Sequence, residues 1–272
     1  MATGAEFIVE LLEEHRVEVV FGLPGVHNLA LWEALRASPI RLVGVRHEQA
    51  AAYAADGYAR ATGRLGVALT TTGPGAANTL GAVGEAWASR SPVLVIATDI
   101  ASTLREPDTY RGVLHECTDQ AAMFAPVTKS THRALDRTRV AREAELALAI
   151  VSTPPHRPVY LEIATDLLGA EIAESGEGEI SAGVVSAGTD LDGAAGRLGA
   201  AERPLLWVGG GAREAGAEVA RLAERLAAPV LTTYGAAGIL PPSHPCLVGM
   251  PPHVAPAGAL WDEADVVLAI GS

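Results

Sequence analysis

The sequence has little cysteine, fewer basic than acidic side chains, and no long apolar run. Its two thiols, Cys117 and Cys246, lie far apart without metal-ligand spacing, which favours buried thiols in a reducing cytoplasm. Lys and Arg total 20 against 32 Asp and Glu, and the net charge of −12 argues against nucleic acid or an anionic membrane as a partner. No apolar run approaches the roughly 20 residues that span a bilayer, and the first residues lack the basic region of a signal peptide. We therefore expect a cytoplasmic protein that binds neither nucleic acid nor membrane.

The sequence does contain a regular alternation of short apolar strands and Ala-rich or amphipathic helices. The run at 92–98 is apolar at nearly every position, which is typical of a strand that is covered on both faces of a parallel sheet. The alternation predicts an α/β fold with a doubly wound or similar parallel sheet and helices on both faces. The strands of this sheet are expected near 17–21, 41–45, 66–72, 92–98, 126–132 and 159–163.

A change in composition divides the chain. Residues 171–190 are rich in Glu, Gly and Ser, which predicts a linker. A second β–α series follows, with strands expected near 205–208, 229–233 and 264–270. The predicted organisation is one complete domain over 1–170, a linker over 171–190, and a partial second domain over 191–272.

Glu48 is the first candidate functional residue. It stands between an apolar strand and an Ala-rich helix that is expected to begin near His47, and open α/β sheets bind ligands at such junctions. The carboxylate could simply interact with the helix dipole. If it faced a ring nitrogen of a ligand, the protonated carboxyl could instead donate a hydrogen bond and exchange a proton. Both interpretations are open from the residue alone.

Two glycine- and proline-containing turns are further candidates. One runs from Thr71 through Gly73-Pro74-Gly75 to Asn78 and is a strand–loop–helix turn with Pro near the helix start. It is a poor dinucleotide fingerprint, because Asn78 stands where the third Gly is required. The other turn includes Pro24 and Gly25 and rigidly links a strand to a helix.

Two histidines could titrate near neutral pH. His27 follows the Pro24-Gly25 turn and either lines a substrate site or caps the next helix. His115 precedes Glu116 in a long segment of weak periodicity, 99–123, and long loops are often functional. A His-Glu pair on such a loop is either solvated or catalytic.

The stretch Arg46–Gly63 resembles the cofactor-glutamate segment of thiamine diphosphate (ThDP) enzymes of the acetolactate synthase and 2-oxo acid decarboxylase superfamily. The two turns are similar to the loops that line the pyrimidine pocket of that superfamily. The resemblance implies that Glu48 bonds the aminopyrimidine ring and promotes the imino form that deprotonates the thiazolium. It also implies a pyrimidine-binding domain over 1–170 and a partial Rossmann-like middle domain over 191–272. The implied catalytic residues are Glu48, His27 and His115, and the implied cofactor-binding residues are Pro24, Gly25, Glu48, Thr71, Gly73, Pro74 and Asn78.

Some positions depart from the superfamily pattern. Val26 stands where some decarboxylases place an acid or a hydroxyl, and it cannot transfer protons, which favours carboligation over simple decarboxylation. The run Gly209-Gly210-Gly211 begins a middle domain that binds FAD in some members. Glu214 occupies the next position expected to be Gly, and residues 232–235 also depart from the pattern, so FAD is not expected.

The resemblance covers only the first half of the superfamily's usual length. The diphosphate domain, with its Gly-Asp-Gly motif, has no counterpart in these 272 residues. The expected function is therefore that of one subunit of a split ThDP-dependent carboligase or decarboxylase acting on a small 2-oxo acid. A second chain would bind Mg²⁺ and diphosphate, in a hetero-oligomer such as a dimer of heterodimers, unless the chain is a truncated piece. The alternatives are a non-catalytic regulatory or scaffolding subunit and a nucleotide-binding oxidoreductase.

Overall fold

A computed structural model describes residues 2–106, 109–172 and 190–272 of the chain. It divides into two compact units, residues 1–185 and 186–272. Most of the predicted linker, 173–189, lies outside the described residues, so the predicted domain limits stay predictions. Within the described residues no helix is both long and apolar enough to cross a membrane.

The first unit is a six-stranded sheet in the order β2-β1-β3-β4-β6-β5, with every neighbouring pair parallel. Its strands are β1 Val19–Gly22, β2 Arg41–Gly44, β3 Gly66–Leu69, β4 Val93–Asp99, β5 Ser130–Ala134 and β6 Val159–Ala164. Its α-helices are α1 Gly4–Glu14, α2 Leu29–Ala37, α3 Glu48–Thr62, α4 Pro74–Ala77, α5 Leu80–Ala88, α6 Gln120–Phe124, α7 Val140–Ser152 and α8 Thr165–Leu168. The predicted α/β class is confirmed.

Alternate residues of the strands enter two separate apolar layers. In β3, Val67 and Leu69 pack in a layer with α1, α2, α7 and α8, whereas Ala68 packs in the opposite layer with α3, α5 and α6. Because both faces of the sheet are covered, β4 and β6 are buried along their whole length. The central strands β4 and β6 are therefore accessible to a ligand at their ends rather than on their faces.

The small side chains of α3 let it approach the sheet closely. Ala55 and Gly66 touch so closely that a Cβ on Gly66 would lie 2.1 Å from the Ala55 carbonyl oxygen. The helix ends at Gly63, which adopts the left-handed conformation of a C-cap at φ 71°. This packing fixes the start of α3, where Glu48 lies, against the central strands.

The structure differs from the expected elements at two places near the candidate site. The helix expected from the Gly-Pro-Gly turn onwards is two helices, α4 and α5, because the Thr79 hydroxyl bonds back to the Ala76 carbonyl at 2.7 Å where α4 ends. The strand expected at 66–72 ends at Leu69. Residues 70–73 consequently form a loop rather than a strand.

The second unit is a three-stranded parallel sheet in the order β8-β7-β9. Its elements are α9 Leu191–Ala200, β7 Pro204–Val208, α10 Gly216–Leu226, β8 Val230–Thr232, α11 Ala255–Glu263 and β9 Val266–Ile270. The glycine run after β7 packs against backbone: a Cβ on Gly209 would lie 2.3 Å from the Gly271 carbonyl oxygen, which also accepts a hydrogen bond from Gly211 at 2.9 Å. Glycine at these positions permits a close contact between backbone segments of the second unit.

Candidate active site

The candidate site lies at the carboxyl ends of β1, β2 and β3. Following the strand order, the chain passes from β1 outward to β2 and then returns past β1 to β3, so the topological switch point lies between β1 and β3. Ligands of open α/β sheets bind at this point. The two turns found in the sequence follow β1 and β3, and Glu48 follows β2.

Glu48 is the first residue of α3, and its side chain is not the cap of that helix. The cap is His47, whose Nδ1 accepts a hydrogen bond from the Gln49 N–H at 3.1 Å. Glu48 is only 9% exposed, and its Oε2 accepts a hydrogen bond from Asn78 Nδ2 at 2.9 Å. Among the described residues Oε1 has no hydrogen-bond partner. A buried carboxylate held by one oxygen is suited to bond a ligand with the other.

Because Gly25 and Gly75 have no side chains, the loops that contain them can lie close to Thr71 and Glu48. A Cβ on Gly75 would lie 3.3 Å from Glu48 Oε1 and 2.6 Å from Thr71 Cγ2. A Cβ on Gly25 would lie 2.6 Å from Thr71 Oγ1. The structure thus places Gly25, Thr71, Glu48 and Asn78, four of the predicted cofactor-binding residues, in one contiguous group, and their role stays a prediction.

Buried polar atoms without partners mark this region as a place where a ligand would bond. Thr70 Oγ1, Thr71 Oγ1 and His27 Nδ1 are buried and have no hydrogen-bond partner in the part of the chain that the structure describes. Such atoms are rare in folded proteins, because each costs about 1–3 kcal/mol of lost hydration. Pro24 and Pro74, which were predicted to bind the cofactor, are exposed. The polar atoms at this edge of the sheet therefore fit a ligand that carries hydrogen-bonding groups.

The two predicted histidines meet beside the same loop. The rings of His27 and His115 are edge-to-face with centroids 5.9 Å apart. A Cβ on Gly73 would lie 2.4 Å from the His115 carbonyl oxygen, so Gly73 packs directly on the histidine backbone. In the described part of the chain no hydrogen bond joins either histidine to Glu48. The histidines and Glu48 are therefore two groups on opposite ends of the Gly73–Gly75 segment.

The environment of His27 favours its neutral form. Burial lowers the pKa of His27, the neighbouring His115 lowers it further, and Asp99 opposes both. A neutral imidazole can accept a proton on one ring nitrogen and donate from the other. His27 is thus available for proton exchange at neutral pH.

This pKa predicts an acid-sensitive contribution to folding. The folded-state pKa of His27 lies below its unfolded value, so below about pH 6.5 the unfolded chain binds the extra proton and stability falls with pH. We expect His27→Asn to lose less stability than the wild type between pH 7.5 and 5.5, and to match the wild-type pH slope above pH 7. Urea unfolding at each pH, followed by tryptophan fluorescence, measures the difference. A variant with the wild-type slope below pH 6.5 would contradict the assignment.

Sequence reasoning missed a set of buried polar groups beneath the loop. Asp99 is the last residue of β4 and has no exposed surface. The Arg105 guanidinium donates hydrogen bonds to Asp99 Oδ2 at 2.6 Å and to the Cys117 carbonyl oxygen at 2.8 Å. This ties together the two ends of the segment that carries His115. The signal in the sequence was an acidic residue within an apolar strand, at Asp99 and again at Glu162, since buried charges need partners. The side-chain amide of Gln120 belongs to the same set of buried polar groups.

Comparison with known proteins agrees with this geometry. Residues 2–123 match the family model of the thiamine pyrophosphate enzyme N-terminal TPP binding domain, and residues 191–272 match the model of the central domain of these enzymes. The chain belongs to the thiamine pyrophosphate enzyme family and contains its N-terminal and central domains. The resemblance stated from the Glu48 segment is confirmed, as is the assignment of the two folds.

Several curated relatives align along nearly the whole chain. A probable 2-ketoarginine decarboxylase of Pseudomonas aeruginosa is 41% identical over 99% of this chain and 48% of the relative. A probable acetolactate synthase large subunit of Methanocaldococcus jannaschii is 33% identical over 98% of this chain and 46% of its own length. The acetolactate synthase large subunit of Corynebacterium glutamicum is 34% identical over 99% of this chain and 44% of its own length. The chain spans about half the length of the curated relatives it matches.

Proposed function

We propose that this chain supplies the pyrimidine side of the ThDP site in an enzyme that acts on a 2-oxo acid. The observation that carries the proposal is the buried Glu48 carboxyl, which Asn78 holds through one oxygen and whose other oxygen has no hydrogen-bond partner among residues 2–106, 109–172 and 190–272. It lies at the strand–helix junction beside two loops whose glycines permit close approach. Membership of the thiamine pyrophosphate family supports ThDP as the ligand.

Each residue of the site has a separate role in the proposed chemistry. Bound ThDP supplies an electron sink for the bond next to the 2-oxo carbonyl. Glu48 holds or releases a proton at Oε1 towards the ring, and the unpartnered Thr70 and Thr71 hydroxyls are available to its polar atoms. His27 and His115, at the other end of the loop, hold a proton towards the substrate. In this proposal both histidines act as acid or base groups.

The reaction we propose is carboligation after decarboxylation of the donor. Val26 follows Gly25 at the site, is 72% exposed, and offers no proton to a decarboxylated donor, which leaves addition to a second carbonyl compound as the favoured outcome. Two relatives named acetolactate synthase support this reaction class. The relative named 2-ketoarginine decarboxylase supports simple decarboxylation of a guanidino acid as the second candidate.

We propose further that Mg²⁺ and the diphosphate are bound by a second chain in a hetero-oligomer. Among the described residues no group of three or more His, Cys, Asp or Glu is arranged to hold a metal ion. Exposed apolar side chains on the site loops support a covering partner, because such side chains often mark interfaces. These are Val26 at 72%, Tyr110 at 72% and Leu114 at 56% exposed. The alternative is a regulatory or scaffolding subunit that keeps the fold without catalysing.

Reconstitution tests the proposal. The chain is mixed with a partner chain that carries the Gly-Asp-Gly motif, ThDP and Mg²⁺, and supplied with pyruvate or 2-ketoarginine. We expect carbon dioxide release and a carboligation product from pyruvate only when both chains are present. Aldehyde release from 2-ketoarginine without a ligation product would favour the second candidate. A partner chain that is fully active alone would support the non-catalytic alternative.

A further inference from the structure

Gln120 is a buried amide that lies beneath the Gly73–Gly75 loop. It begins α6, after the N-cap residue Asp119, and its side chain has no exposed surface. A primary amide carries two N–H donors and one carbonyl acceptor, and when it is buried all of them need partners. The partners of Gln120 therefore define what the fold uses it for.

The contacts of Gln120 join the loop to the sheet. Its Oε1 accepts a hydrogen bond from the backbone N–H of Gly73. Its Nε2 lies 3.0 Å from the Thr98 carbonyl oxygen, 2.7 Å from Tyr160 Oη and 3.1 Å from Glu162 Oε2. Turning the amide over would set oxygen against oxygen and N–H against N–H, so the neighbours fix a single orientation. The Gly73 peptide is thereby tied to β4 and β6.

Gly73 is the residue at which the loop changes direction. It has φ 60° and ψ −113°, a conformation open to glycine, and it precedes Pro74 at the start of α4. Two residues further on, Gly75 packs against Glu48 Oε1. A hydrogen bond that fixes the Gly73 peptide therefore also fixes how Gly75 approaches Glu48.

The groups that hold the Gln120 amide, Tyr160 and Glu162, have further partners of their own in the sheet and in the helix α6. Glu162 Oε1 accepts a hydrogen bond from Arg133 Nε at 2.8 Å, and the Tyr160 ring stacks on Phe124 with centroids 3.9 Å apart. Burial raises the pKa of Glu162, Asp99 adds to this, and Arg133 opposes it. Gln120 thus connects a rigid charged and aromatic cluster to a loop of the site.

We propose that Gln120 is a positioning residue that holds the Gly73 peptide, and through it Gly75, at the distance from Glu48 that the cofactor pocket requires. A loop that is ordered before its ligand arrives binds without the cost of ordering it. The identity of the ligand, ThDP, rests on the proposed function, whereas the ordering of the loop is a property of the protein without cofactor.

Hydrogen exchange of the cofactor-free protein tests the ordering directly. In Gln120→Met, a side chain of similar length has no hydrogen bond to offer to the loop. We expect the backbone amides of Thr71, Thr72, Gly73 and Gly75 to exchange about tenfold faster, which corresponds to the free energy of a typical net hydrogen bond. Tyr160→Phe keeps the stacking on Phe124 and removes one partner of the amide, so a smaller increase is expected. Mass spectrometry of peptides that cover the loop measures both.

The control is Glu143→Gln, which perturbs another buried hydrogen bond of the same unit. Glu143 bonds His132 Nδ1 at 3.0 Å and accepts a hydrogen bond from Arg139 Nη2 at 2.8 Å, and the helix that carries it packs in the layer on the opposite face of the sheet. We expect its exchange at residues 71–75 to match the wild type. Wild-type exchange in both Gln120→Met and Tyr160→Phe would overturn the proposal, as would an equal increase in Glu143→Gln.

Cofactor binding to the complete assembly separates this proposal from the proposed function. We expect Gln120→Met to raise the Kd for ThDP about tenfold while Glu143→Gln leaves it unchanged. A wild-type assembly that fails to bind ThDP would overturn the proposed function, whereas faster exchange in Gln120→Met would still support the positioning role. An unchanged Kd in Gln120→Met would overturn the link between loop order and the cofactor.

Discussion

Glu48→Gln is expected to lower the turnover of the complete assembly by about 10²- to 10⁴-fold, the range that a general acid–base group contributes. The amide cannot hold or release the proton that the proposed chemistry requires. Its oxygen can still accept the hydrogen bond from Asn78 Nδ2 that the structure shows at 2.9 Å, so folding should be retained. Steady-state rates with pyruvate, together with an unfolding curve, measure the two effects separately.

Three results bear on the interpretation of this substitution. Asn78→Asp removes the donor to Glu48 and places a second carboxylate beside it, so we expect a rate loss in this variant too, with Glu48 retained. Turnover of Glu48→Gln equal to that of the wild type would remove Glu48 from the reaction and leave the scaffolding alternative as the better account. Loss of folding in Glu48→Gln would instead show that its buried carboxylate is needed for structure.

Gly66→Ala is expected to destabilise the first unit by about 3 kcal/mol, the upper part of the range for overpacked sites. The added Cβ would lie 2.1 Å from the carbonyl oxygen and 2.7 Å from the carbonyl carbon of Ala55, and backbone atoms cannot rotate away as a side chain can. The helix α3 would have to move from β3, and Glu48 would move with it. Urea-dependent hydrogen exchange of β3 and β4 peptides reports on this unit alone.

Gly57→Ala is the matched control, placed on α3, the helix that a Cβ on Gly66 would contact. Apart from its own helix, no described residue has a heavy atom within 4 Å of a Cβ at Gly57. We therefore expect this substitution to stabilise α3 by about 0.5–1 kcal/mol through lower backbone entropy in the unfolded chain. Opposite signs for the two variants would support close packing as the cause. A similar loss in both would point to general intolerance of alanine in this region.

Much of the first unit could be predicted from local pattern. The run that became β4 is apolar from Val93 to Ala97, as expected for a strand covered on both faces of a sheet. The Ala-rich stretch after His47 became α3 within a residue or so of the expected start. Both depend on short-range periodicity, which sequence displays directly. The order of the strands in the sheet could not be predicted in this way, because periodicity carries no information about which strands pair.

In the candidate site, too, some features follow from local sequence and others only from the tertiary structure. The sequence by itself determined that Glu48 and the two glycine turns follow strands of a parallel sheet, and the carboxyl ends of such strands share one edge. Tertiary structure alone decided that Gly25, Thr71 and Gly75 touch around Glu48, and that His27 meets His115. It also decided the role of Gln120, which bonds Gly73 at a separation of 47 residues and Thr98 at 22. Contacts over such distances depend on how the strands are ordered, which the pattern of neighbouring residues does not encode.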